Sequence, residues 1–209
     1  MENLTPAQAW QVIKDGNARF VAGEPQHPHQ DIAERTALVG GQSPHVVLFG
    51  CGDSRLAAEI IFDQGLGDMF VVRTAGHVLD EAVMGTIEFG PDVLDVPLIV
   101  VLGHSSCGAV GATMEALDNN TLPNGYVRAI VEKVTPSILA GRSEGISDYY
   151  GFVGRHVKET VHLLMQRSRV IAERVEAGTL AVVGLTYKLE DGRVELVDAV
   201  GDIGDATLN

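Results

Sequence analysis

Cysteine is scarce in this chain, and basic residues are outnumbered. Only Cys51 and Cys107 occur, and neither has a neighbouring cysteine, which excludes a redox pair or a disulfide framework. The two must be explained singly or jointly. Lys and Arg number 15 against 28 Asp and Glu, a formal charge of -13. Without a basic run nothing can track a phosphate backbone, so no nucleic acid partner is expected. No apolar stretch is long enough to span a bilayer, and the opening "MENLTPAQAW" has an early acid and no apolar signal core. The expectation is a soluble, cytoplasmic protein with no membrane partner. No internal repeat is evident, and 209 residues fit one α/β domain with a sizeable core. Residues 1–209 are therefore expected to form a single unit.

What is present is an alternation of apolar runs with helical patterns. "HVVLFG", "MFVVRT", "VPLIVVLGH", "TLAVVGLTY" and "VELVDAVG" are near-continuous apolar segments, as strands covered on both faces would be. Helical patterns separate most of them, which predicts an α/β fold with a mainly parallel sheet flanked by helices. The last two runs are joined through "KLEDGR", whose Asp191-Gly192 is a hairpin signal. The sheet is therefore expected to be mixed. "TPAQAWQVIKDGNARFVAG" starts with a Thr5 cap and Pro6 and puts Trp10, Ile13 and Val21 roughly on one face. The Pro-broken "GEPQHPHQD" comes next, so residues 1–30 read as an N-terminal helical arm that a partner chain could receive. The segment from Tyr149 reads as one long helix ending at Gly178, with His156 and His162 as surface or packing residues.

The chemistry collects at two strand ends. Phe49 to Arg55, "FGCGDSR", comes after one buried run, and "GHSSCG" after another, placing Cys51, His104 and Cys107 at carboxyl ends of strands. Sites form where such ends meet. Two thiolates and an imidazole are three of the four ligands of a tetrahedral zinc, and three protein ligands leave a position for water, which implies catalysis rather than bracing. Taken alone, each residue has a plainer reading. A lone Cys at a strand end is more often a small buried hydrophobe, a lone His is usually just hydrogen-bonded, and Asp53 with Arg55 could be an ordinary ion pair. "GHSSCG" fails as a nucleophile elbow with either serine at the centre. It also fails as a phosphate loop, because Ala109 and Val110 come after Gly108. The joint zinc reading remains.

"CGDSR" followed at distance by "GHSSCG" resembles the C-x-D-S-R and H-x-x-C pair of the β-class carbonic anhydrases. The likeness runs through "GQSP", "DMFVVRTAGH" and the closing "GLTYKLEDGRVEL", nearly the whole chain. The resemblance implies one zinc per chain on Cys51, His104 and Cys107, with Asp53 and Arg55 as the catalytic pair. It implies a substrate pocket with Gln42, Phe70, Phe89 and Gly108, and a homodimer or dimer of dimers that shares pocket residues between subunits. It further implies a closed state in which Asp53 takes the fourth metal position. Two departures stand out: Phe89 falls where plant relatives carry Tyr, and "RTAGH" replaces R-N-A-G-N, which puts His77 near the site as a proton carrier or a structural residue. The implied activity is reversible hydration of carbon dioxide to bicarbonate, with hydroxide made available by the metal. Asp53, an acceptor only when ionised, would orient that hydroxide, and the planar Arg55 fork would fix the carboxylate. Two alternatives stay open: hydrolysis of carbon disulfide or carbonyl sulfide on the same site, and a non-catalytic zinc or bicarbonate-binding protein.

Overall fold

The computed structural model describes residues 4–208. All five apolar runs form strands: β1 (Val46–Cys51), β2 (Met69–Thr74), β3 (Leu98–His104), β4 (Ala181–Tyr187) and β5 (Val194–Val200). They make one sheet in the order β2-β1-β3-β4-β5. The first four run parallel, and β5 is antiparallel to β4. Every residue of β1, β3 and β4 is buried, which is why these strands read as continuous apolar runs. The edges β2 and β5 are only partly covered.

Alternating side chains feed two cores. Val46, Leu48, Leu98, Val100, Ala181 and Val183 face one way, and Val47, Ile99, Val101 and Val182 the other. On the first face lie α1 (Pro6–Ala22), α5 (Gly108–Asn119) and α6 (Val127–Ser143); on the second, α4 (Glu81–Val93) and α8 (Arg169–Glu176). Helix α7 (Tyr149–Arg167) contributes Phe152 and Val153 to the first core and Val157, Val161 and Leu164 to the second. It can approach the sheet because Gly103 in β3 carries no side chain: a Cβ there would stand 2.5 Å from Val157 Cγ2.

The N-terminal helix is present, with Thr5 and Gln8 closing a capping box and Pro6 in the first turn. Within the chain it packs on its own sheet. Ala9, Trp10 and Ile13 are fully buried in the chain's own core, Trp10 Nε1 donates to the Asp205 carbonyl, and Asn17 donates to the carbonyls of Ile61 and Gly192. The part that stands off lies beyond α1: α2 (Ile32–Ala37) and the 3-10 turn Leu38–Gly40 bury no residue. The long helix ending at Gly178 is corrected. It breaks at Ser168, whose backbone is extended and whose Oγ accepts from the Ile171 N–H, so a new helix starts there.

Candidate metal centre

The chain turns opposite ways after β1 and β3. From β1 it passes through α3 (Ala58–Ile61) to β2 on one side, and from β3 it moves toward β4 on the other. Adjacent parallel strands with diverging connections leave a crevice at their carboxyl ends. Cys51 and His104 are the last residues of these two strands, and Cys107 immediately precedes α5. Ser106, at φ 57, reverses the chain between His104 and Cys107.

The ligand atoms of Cys51, His104 and Cys107 all lie within 4.8 Å of one another. This is the one group of at least three His, Cys, Asp or Glu residues suited to holding a metal among the described residues. His104 Nδ1 sits 2.9 Å from the Ser105 carbonyl. A carbonyl only accepts, so Nδ1 carries the hydrogen and Nε2 presents a lone pair. That Nε2 is buried with no hydrogen-bond partner among the described residues. A fully buried bare nitrogen beside two sulfurs is costly unless a cation meets it, and two sulfurs with one imidazole suit zinc. The donor set fits the metal.

The two thiols differ in acidity. Hydrogen bonding from Cys107 and from the Gly76 N–H lowers the Cys51 pKa well below its ordinary value. The negative charge gathered on Cys51, together with burial, pushes Cys107 up.

Asp53 stands beside this group but outside it. Arg55 donates to it through Nε to Oδ1 at 2.9 Å and Nη2 to Oδ2 at 2.7 Å, and the Arg55 N–H adds a bond of 3.0 Å to Oδ1. The fork holds the carboxyl far below the usual carboxylate range. Arg55 is more exposed than a partly buried site implies, with half its side chain open to solvent. Gly108 opens α5 next to Cys107, with nothing within 4 Å of where a Cβ would be.

Three expected pocket residues lie elsewhere. Gln42 precedes β1 at the end opposite Cys51, and six strand residues span about 17 Å. Phe70 pairs with Val47, while Cys51 pairs with Thr74. Phe89, on α4, stacks on Phe70 with centroids 5.9 Å apart, so both rings belong to the far end of edge strand β2. Within one chain these residues do not meet the Cys-His-Cys group. His77 is 1% exposed, and neither ring nitrogen has a hydrogen-bond partner among the described residues. Burial holds its pKa well below the ordinary value. It is walled in, with the rings of Phe49 and His156 against it.

Two residues were not singled out from the sequence. Arg73 donates from Nε to the Cys51 carbonyl at 2.9 Å and from Nη2 to that of Asp53, clamping the turn that carries both. A charge inside the apolar run "MFVVRT" was the available signal. Tyr149 donates to the Cys107 carbonyl, a contact with no trace in local sequence.

A parallel sheet whose switch point gathers two thiols and a bare imidazole nitrogen, flanked by a fixed carboxylate, offers a candidate metal centre. Comparison with known proteins gives the family. A family model described as carbonic anhydrase matches residues 46–194. Carbonic anhydrase 2 of Mycobacterium tuberculosis is 60% identical over 205 residues, covering 98% of this chain and 99% of that protein. The carbonic anhydrase of Mycolicibacterium smegmatis is 62% identical over 205 residues, covering 98% and 100%. Among solved structures, a tetrameric β-carbonic anhydrase of Sordaria macrospora shares the fold with a TM-score of 0.73 at 22% identity, over 91% of this chain and 98% of that one. The chain belongs to the β-carbonic anhydrase family, a family of enzymes.

Proposed function

We propose that this protein catalyses the reversible hydration of carbon dioxide to bicarbonate and a proton, with one zinc held by Cys51, His104 and Cys107. The observation that carries the reading is the bare, buried Nε2 of His104 between two sulfurs, next to a carboxylate that Arg55 keeps ionised. When bound, zinc supplies a water acidic enough to yield hydroxide near neutral pH.

The chain's own residues do the rest. Asp53, as an acceptor only, takes the hydrogen of the attacking oxygen and leaves its lone pair turned toward the carbon of carbon dioxide. Arg55 keeps that carboxylate charged and away from the metal position. Gly108 leaves room beside Cys107 for the linear substrate. Water and carbon dioxide together make bicarbonate, and the released proton passes to solvent.

Gln42, Phe70 and Phe89 would then serve the pocket of a second copy in a homodimer. Phe89 and Val93 are 43% and 56% exposed, one turn apart on α4 and beside the uncovered edge strand, which supports an apolar self-association surface. Cysteines at two of the three candidate metal positions support a cytoplasmic location, where thiols persist. Among the described residues no helix is long and apolar enough to cross a membrane.

The test is stopped-flow carbon dioxide hydration combined with elemental zinc analysis. Hydration with one zinc per chain is expected. Fully zinc-loaded protein that is inert toward carbon dioxide, or that hydrolyses only carbon disulfide or carbonyl sulfide, would overturn the reading.

A further inference from the structure

One layer behind Cys51 lies a buried histidine that the proposed chemistry leaves unused. His156, on α7, is 4% exposed and has both ring nitrogens engaged. Nε2 is 2.8 Å from the Gly76 carbonyl oxygen, 80 residues away in sequence, and Nδ1 is 2.8 Å from Ser137 Oγ on α6. The carbonyl can only accept, so Nε2 carries the hydrogen and Nδ1 receives the Ser137 hydroxyl's. Burial lowers the ring's pKa below its ordinary value, consistent with a single neutral tautomer.

Gly76 is held on its other side as well. Its N–H donates to Cys51 Sγ at 3.2 Å. The residue sits at φ 65 and ψ 24, a conformation that glycine adopts at little cost. A Cβ there would also lie 2.5 Å from the Ala109 Cβ. Gly76 is thus held at both ends, its carbonyl by His156, which Ser137 braces, and its amide by the sulfur of Cys51.

We infer that His156, braced by Ser137, is a positioning residue for the metal thiolate: it fixes the Gly76 turn so that its amide takes up part of the negative charge on Cys51. The inference rests on the proposed zinc site. Two thiolates cancel the charge of a divalent metal and weaken it as a Lewis acid, and an N–H bond to one sulfur draws electron density back. The job needs a donor at one end of a rigid ring and an acceptor at the other, with no net charge in a buried site. A neutral imidazole meets all three demands, whereas Lys or Arg would bury a charge.

Cobalt(II) in place of zinc reports this directly, because sulfur-to-cobalt charge-transfer absorption moves to longer wavelength as the thiolate becomes more electron-rich. His156→Phe fills the space but removes both hydrogen bonds. Its band is expected at longer wavelength than that of the unaltered protein, with metal affinity, measured by chelator competition, lower by about 10- to 100-fold. His156→Gln, whose amide can donate to Gly76 and accept from Ser137, is expected to restore most of both. Should His156→Phe not fold, Ser137→Ala carries the comparison with a smaller shift in the same direction. Unchanged band position and affinity in the folded variant would overturn the inference. If the unaltered protein bound cobalt without any such band, the thiolate site itself would be refuted, which separates the two failures.

Discussion

At the scale of single residues, the site depends on where each polar atom is already committed. His104 spends Nδ1 on the adjacent Ser105 carbonyl and so leaves Nε2 bare, and a hydroxyl cannot replace either sulfur at neutral pH. Cys107→Ser is therefore expected to lose most of its zinc by elemental analysis, and full occupancy would contradict the ligand set. Asp53 is committed to Arg55 by two side-chain bonds. Asp53→Asn is expected to keep its zinc while hydration falls by about 10²-fold, because an amide also donates and misplaces the nucleophile. Arg55→Leu should free the carboxylate to occupy the fourth metal position, visible at the zinc absorption edge as an added oxygen ligand at neutral pH. The candidate metal group and the neighbouring Asp-Arg pair could be read from the sequence because each lies in a short motif at a strand end. Arg73, Tyr149 and His156 were not, because what they hold are backbone carbonyls brought to them only by the folded sheet and by α7.

Elements carry the next level of organisation, and α7 joins both cores to the site. It presents Tyr149 to Cys107 and, two turns later, His156 to Gly76, which requires close approach to β3. Gly103→Ala would place a Cβ 2.5 Å from Val157 Cγ2, and overpacking of this kind costs about 1–3 kcal/mol. A chemical denaturation series should show that loss partly recovered in the double variant Gly103→Ala/Val157→Ala, since the two positions share one contact. The strands were readable as apolar runs because three of them are covered on both faces. The break at Ser168 was not, because the periodicity of α7 continues into α8 and only the capping hydroxyl marks the boundary. The polar segment after α1 is pinned in a similarly quiet way. Asp63 is buried, which alone would raise its pKa, but the N–H groups of Gln26 and His27 and the Arg19 guanidinium outweigh burial and lower it. A depressed folded pKa contributes stability above the ordinary carboxylate range and loses it as pH falls. Asp63→Asn should cost about 1–3 kcal/mol near neutral pH, and its gap from the unaltered protein should narrow on acidification.

For the whole molecule, the switch point between β1 and β3 places the candidate metal ligands at one end of the sheet, while Gln42, Phe70 and Phe89 sit toward the other. If those three residues belong to a substrate pocket, the pocket is completed only by a second chain. Charge opposes that step, since two copies each carry -13 and repel at low ionic strength. Apolar contact must therefore drive it, and Phe89 with Val93 supplies an exposed face next to edge strand β2. The N-terminal helix places Trp10 and Ile13 in the core of its own chain. Removing residues 1–22 would consequently unfold the monomer rather than merely separate subunits. Phe89→Asp is the cleaner probe: it adds a like charge to the apolar face and touches none of the metal ligands. In sedimentation experiments the unaltered protein is expected to associate more tightly as salt screens the repulsion, and Phe89→Asp to shift toward monomer. Zinc content should stay at one per chain while hydration falls together with association. A Phe89→Asp monomer as active as the unaltered protein would show that each chain builds its pocket alone.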